Sequence, residues 1–254
     1  MCLDHLIADA GDGERPWPQA GRERMIVPAP VGTMGTETPS REQESLARLS
    51  PGAVMMMGDN PALPRMPERP GLLDFFRCRF MGITERHLLT SAARALDEGQ
   101  DERIVLACLV HDISNGCLIR ADHGYWGAQM IAPYVDEEVA WAVKHHQALR
   151  YFADDSVGYA YPDSYVRFFG PDYVPPDYIC RDAEVARAHR WYMSARLVTL
   201  YDIYFFDDSV PIPDPEIFTD IIGRHFREPA EGLGFDGSPT AHMWRTMIWP
   251  NNFL

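Results

Sequence analysis

The chain has 254 residues, 46% hydrophobic and 24% charged, enough to bury a sizeable core in one large domain or two small ones. Lys and Arg number 23 against 37 Asp and Glu, and the resulting −14 disfavours nucleic acid or an anionic membrane as partner, since both require a clustered positive field. No apolar run nears the roughly 18–20 residues needed to span a bilayer, and Met1–His5 does not open a secretory leader. Cys2, Cys78, Cys108, Cys117 and Cys180 are odd in number and scattered, which points to reduced thiols in a cytoplasmic protein rather than to a disulfide frame.

Taken in chain order, residues 1–70 read as an irregular N-terminal extension punctuated by Gly and Pro, with one short helix starting at Ser40. From Gly71 the pattern turns helical. Helices are expected over Gly71–Met81, from Thr84 to Leu96, over Asp101–Val110, His123–Tyr134 and Asp136–His146. Ala153–Cys180, rich in Tyr, Pro and Asp, reads as a long irregular loop and a candidate lid. Asp182–Phe206 reads as one long helix and Asp214–Phe226 as another capped by Asp214, while the tail 228–254 reads as loop. Strand patterns are almost absent, so the expected fold is all-α: an extension 1–70, a helical core 71–227, and a tail 228–254 packing on it.

The histidines carry the chemistry. Ile104–Val110 is apolar on every face and must be buried, and it ends at His111-Asp112. A buried imidazole beside a buried carboxylate is costly unless both are hydrogen-bonded or bound to a cation. Asp202 interrupts Leu197–Phe206, otherwise apolar or aromatic, and raises the same question. His87 and His123 sit near helix starts, and His145-His146 near a helix end. Neighbours on a helix point about 100° apart, so only one of that pair faces a given site. Four imidazoles and two carboxylates without a thiolate suit first-row ions, and six ligands suit two ions bridged by one carboxylate.

The ordered set His87, His111-Asp112, His123, His145 and Asp202 resembles the HD-domain superfamily, in its dinuclear subset, over residues 84–207. His123-Gly-Tyr-Trp-Gly-Ala128 is similar to that family's His-x-x-x-Gly-Ala helix start. His145-His-Gln-Ala-Leu-Arg-Tyr-Phe152 is similar to the His-x-x-Ala-Lys-Arg-Tyr segment of its mixed-valent diiron oxygenases, phosphonate oxygenases akin to myo-inositol oxygenase. The resemblance implies an HD-type helical bundle holding two irons, Fe(II) and Fe(III), with dioxygen as co-substrate. It assigns His87, His111, Asp112 and Asp202 to one ion, and Asp112, His123 and His145 to the other, with His111 and Asp112 at the catalytic centre. It selects His145 over His146.

Two positions depart from that pattern. Asn115 stands where phosphate- and phosphonate-handling relatives carry Lys or His, and Leu149 replaces their Lys. An anionic group is then left to the metals and Arg150 or Arg120. Asn115, Leu149, Arg150 and Tyr151 are the candidate substrate contacts. The implied activity is oxidation of a small hydroxylated or largely apolar molecule, by hydroxylation or by C–C or C–P cleavage. The competing activity is metal-dependent hydrolysis of a phosphate ester, and a regulatory binding module on a decayed scaffold is the third reading.

Overall fold

The computed structural model describes residues 63–80, 82–116, 122–202 and 211–249. Chain contacts separate Met1–Ser50 from Pro51–Leu254, and every described residue belongs to the second unit. The expected helix at Ser40 lies outside the described residues. The fold is all-α, with ten α-helices and no strand among the described residues.

The first two helices, α1 (Leu72–Cys78) and α2 (Ile83–Asp97), bury Phe75, Phe76, Leu88, Leu89, Ala92 and Ala95. Gly99, at φ +71, ends α2 in the left-handed conformation that Gly adopts without a Cβ penalty. Its amide donates to Leu96 O and that of Gln100 to Ala95 O, both at 3.0 Å, satisfying two terminal carbonyls. Helix α3 (Glu102–Val110) follows at once. Asp101 caps it by accepting from Arg103 N at 2.9 Å, and Ile104 to Val110 are all buried, as their unbroken apolar run requires.

Helices α4 (His123–Ile131) and α5 (Glu137–Leu149) form the next antiparallel layer, and α5 packs on α3, α4 and α8 (Tyr192–Tyr201). The α4–α5 approach is tight. A Cβ on Gly124 would lie 2.8 Å from Lys144 O and 3.0 Å from Val143 O, so only Gly allows it. Gln147 Oε1 accepts from Gly124 N at 2.9 Å and pins the start of α4. Gly124→Ala is therefore expected to force the helices apart and cost about 1–3 kcal/mol by overpacking; urea denaturation checks the loss.

The stretch 153–180 is more ordered than its composition implies. It contains a 3-10 turn at Asp155–Val157 and α6 (Asp163–Phe169), and α7 (Asp177–Arg187) starts within it. Pro162 and Pro176 each sit just ahead of a helix, where a missing N–H costs nothing. The expected helix Asp182–Phe206 is broken at 188–191. There His189 Nδ1 accepts from Trp191 N at 3.2 Å, and the His189 ring stacks on Trp141 at 4.3 Å, so side-chain contacts replace the helical ladder. Asp214 does cap, accepting from Glu216 N, but the helix it starts is a 3-10 turn (Pro215–Phe218) leading into α9 (Thr219–His225).

The tail also differs from its expectation as loop, since α10 spans Ala241–Ile248. It buries Ala241, Trp244, Met247 and Ile248, and Arg79 binds the Met247 and Ile248 carbonyls at its end. Trp244 packs against Phe75 and Tyr134 and donates Nε1–H to Met130 O at 3.1 Å. It is a core residue. Trp244→Ala should cost about 3–5 kcal/mol in thermal or urea unfolding. No described helix is long and apolar enough to cross a membrane.

Candidate metal centre

Four separate segments meet beneath α5. Helix α2 brings His87, the end of α3 brings His111 and Asp112, the start of α4 brings His123, and Asp202 terminates α8. All five are buried. Asp202 does not interrupt a helix; it is the C-terminal cap residue of α8, its amide bonded to Val198 O at 2.9 Å. The sixth member is His146 of α5.

The expectation that His145 joins this cluster is corrected by the geometry. His145 points to the other side of α5, with Nδ1 3.0 Å from Asp182 Oδ1 and its ring 4.4 Å from Trp141. His146 Nε2 lies 3.6 Å from Asp112 Oδ1, and its ring is 4.9 Å from that of His111 and 5.2 Å from that of His123. The two neighbours face different ways because successive helical residues are about 100° apart, and packing of α5 against α3 and α8 turns His146 to the cluster.

Two groups form within the cluster. His87, His111 and Asp202 present ligand atoms within 4.8 Å of one another, as do His111, Asp112 and His146. In the first, His87 Nε2 is 3.1 Å and His111 Nε2 3.6 Å from Asp202 Oδ1. Asp112 reaches both sides. Its Oδ2 is 3.7 Å from His87 Nε2, while Oδ1 is 3.2 Å from His123 Nε2. That placement is the one a carboxylate shared between two sites would need.

The imidazoles are oriented for cations. His111 Nδ1–H donates to Cys108 O at 2.7 Å, and His146 Nδ1–H donates to Val143 O at 2.6 Å. A carbonyl only accepts, so in each neutral ring the proton sits on Nδ1 and the Nε2 lone pair faces the cluster. Metal-binding histidines are commonly held in this way. His146 Nε2 is buried and makes no hydrogen bond. Thr199 Oγ1 donates to His146 O at 3.2 Å and ties α5 to the helix that carries Asp202.

The electrostatics draw positive charge inward. Burial raises the cost of ionising Asp112, but His111, His123 and their neighbours outweigh it and hold the carboxyl well below its usual range. Asp202 is lowered in the same way, with His111 and His87 overcoming burial. Burial alone would strip the proton from His111; Asp112 and Asp202 reverse that and hold its pKa up at about 9. Burial pushes His123 down to about 4 and lowers His146 as well. Two ionised carboxylates, with His123 and His146 kept neutral by burial and His111 charged by the carboxylates until a cation displaces its proton, are donors suited to a first-row metal site.

The remaining sequence candidates fall in several places. Asn115 sits half-buried in the 3-10 turn Ile113–Gly116, its amide bonded to Asp112 O. Leu149 is wholly buried in the hydrophobic core, and its carbonyl accepts from Arg196 Nη1 and Phe152 N. Arg150 and Tyr151 lie at the end of α5 with Arg150 Nη2 donating to Tyr151 Oη at 2.9 Å. Arg120 is outside the described residues. Sequence reasoning missed His146, the Asp182 partner of His145, and the buried Arg196. A signal for His146 existed: Val139, Ala142, Val143, His146 and Leu149 form one buried stripe at helical spacing.

Fold and centre together define an all-α protein with buried His/Asp groups that could hold a metal ion. No protein-family model matches the chain, and no curated protein does.

Proposed function

We propose that this protein is a dinuclear-metal oxygenase of HD-domain type, using dioxygen to oxidise a small hydroxylated or largely apolar substrate at two irons, Fe(II) and Fe(III). The observation that carries the reading is Asp112, whose two oxygens face different imidazole groups. His87, His111, Asp112 and Asp202 would hold one ion, and Asp112, His123 and His146 the other. The resemblance of the His87, His111-Asp112, His123 and Asp202 order to that family supports the assignment, and His146 supplies the ligand that the alignment placed one residue earlier.

The chemistry such a pair supplies is activation of dioxygen and of a substrate hydroxyl. The chain's own residues prepare for it. Burial of all six side chains keeps water away and strengthens every interaction inside. The Nδ1–H bonds to Cys108 O and Val143 O hold His111 and His146 rigidly, so little reorganisation is needed on loading. With four imidazoles and two carboxylates, these residues would hold the ions with mostly neutral donors and so keep them electron-poor.

Anaerobic purification, metal counting and EPR test the reading. Two irons per chain with a mixed-valent signal and substrate-dependent oxygen uptake are expected. Zinc or manganese with phosphatase turnover and no oxygen uptake would replace it with the phosphohydrolase reading.

A further inference from the structure

Two arginines, Arg196 buried and Arg150 half-buried, are treated differently by the fold. Arg196 is wholly buried and is answered by Asp154, 3.4 Å away, with further bonds to Tyr192 Oη and Leu149 O. Arg150 has no carboxylate within ion-pair distance among the described residues, and Asp202 acts on it only from further away. Its Nη2 donates to Tyr151 Oη, but Nε is buried without a hydrogen bond, and no carboxylate among the described residues pairs with the group. Enclosing part of a guanidinium without a counter-ion is costly, and a bound anion would offset that cost.

Its position gives that charge a use. Arg150 follows His146 by four residues, so the face of α5 that aims His146 at Asp112 carries Arg150 one turn further along. The Arg150 charge is felt at both His123 and Asp202. Aromatic rings cover it, Tyr151 at 5.0 Å and Tyr165 at 5.6 Å. Phe169 and Tyr173 each stand 5.8 Å from the Tyr151 ring. Tyr159 Oη donates to Arg150 O at 2.8 Å and fastens the 153–180 segment over this end of the helix.

We infer that Arg150 binds the carboxylate of a small aromatic or otherwise apolar monoacid, holding its body against Tyr151 and Tyr165 beside the metal centre. That this acid is the substrate rests on the oxygenase reading; the binding itself does not. The planar guanidinium fork matches a carboxylate, and the ring faces match an apolar body. One guanidinium answers one negative charge. A dianionic phosphonate would bring a second, unpaired, into a chain already at −14.

The test is calorimetric titration of benzoate into the full-length protein at pH 8, metal-loaded and after chelation, with benzamide and phenylphosphonate alongside. Benzoate should bind in both metal states and more tightly than either comparison compound. Arg150→Gln should weaken it by about tenfold or more, the scale of a lost charge-assisted hydrogen bond, with metal content unchanged. Arg150→Lys keeps the charge without the fork and should recover part of the affinity. Should the Gln variant fail to fold, weaker benzoate binding by the Lys variant than by wild type remains the expected result. Unchanged affinity in either folded variant, preference for benzamide or phenylphosphonate, or benzoate binding only when metal is loaded would each overturn the inference. Wild type that takes up no metal but still binds benzoate through Arg150 would sink the oxygenase reading alone.

Discussion

Asp112→Ala is expected to empty both halves of the centre, taking the metal content from two ions per chain to none under conditions that saturate wild type. Asp112 is the carboxylate with an oxygen toward each imidazole group, so its loss removes a donor from both at once. Removing an outer hydrogen-bond partner of a metal ligand costs ten- to a hundredfold in affinity; a ligand shared by two ions should cost more than that about-hundredfold limit at each. Stability reports the same event. At metal concentrations about a hundredfold above Kd, loading stabilises wild type by about 2.7 kcal/mol, and the variant should show no metal-dependent rise in thermal midpoint. Two tightly held ions in Asp112→Ala would exclude the shared-carboxylate arrangement.

His146→Ala and His145→Ala should differ sharply, although the residues are adjacent. The first removes an oriented imidazole whose Nε2 faces the centre, and should drop the metal count from two to one and oxygen uptake by about a hundredfold or more. The second removes a ring packed on Trp141 and facing Asp182, on the far side of α5. It should keep both ions and lose about 0.5–1.5 kcal/mol of stability, the value of an aromatic pair. Elemental analysis and thermal denaturation of the two purified variants decide it. The reverse pattern would restore the sequence-based choice of His145.

That choice shows where linear reasoning stopped. The spacing of His-His established that one of the two faces inward, and the family alignment selected the wrong one for this structure. The buried stripe Val139, Ala142, Val143, His146 and Leu149 contained the better signal, because it places His146 on the core face and His145 beside the outward Trp141. The tail erred similarly: Trp244, Met247 and Ile248 were one helical face, overlooked among flanking Gly and Pro. The break at 188–191 had no comparable signal, since Trp141, which draws His189 into a stack, is distant in sequence.

Local pattern was enough for the helical class, for the buried run of α3, and for the demand that His111, Asp112 and Asp202 be given partners, because burial and helical period are properties of neighbouring residues. Which side of α5 meets α3, that Asp112 faces two groups at once, and that half-buried Arg150 pairs with no carboxylate among the described residues while Arg196 pairs with Asp154 were decided only in three dimensions. Those outcomes depend on contacts between helices far apart in the chain, and no local period encodes them. The net charge of −14 weighed against large anionic partners; it took the packed structure to single out Arg150, half-buried and without a paired carboxylate among the described residues.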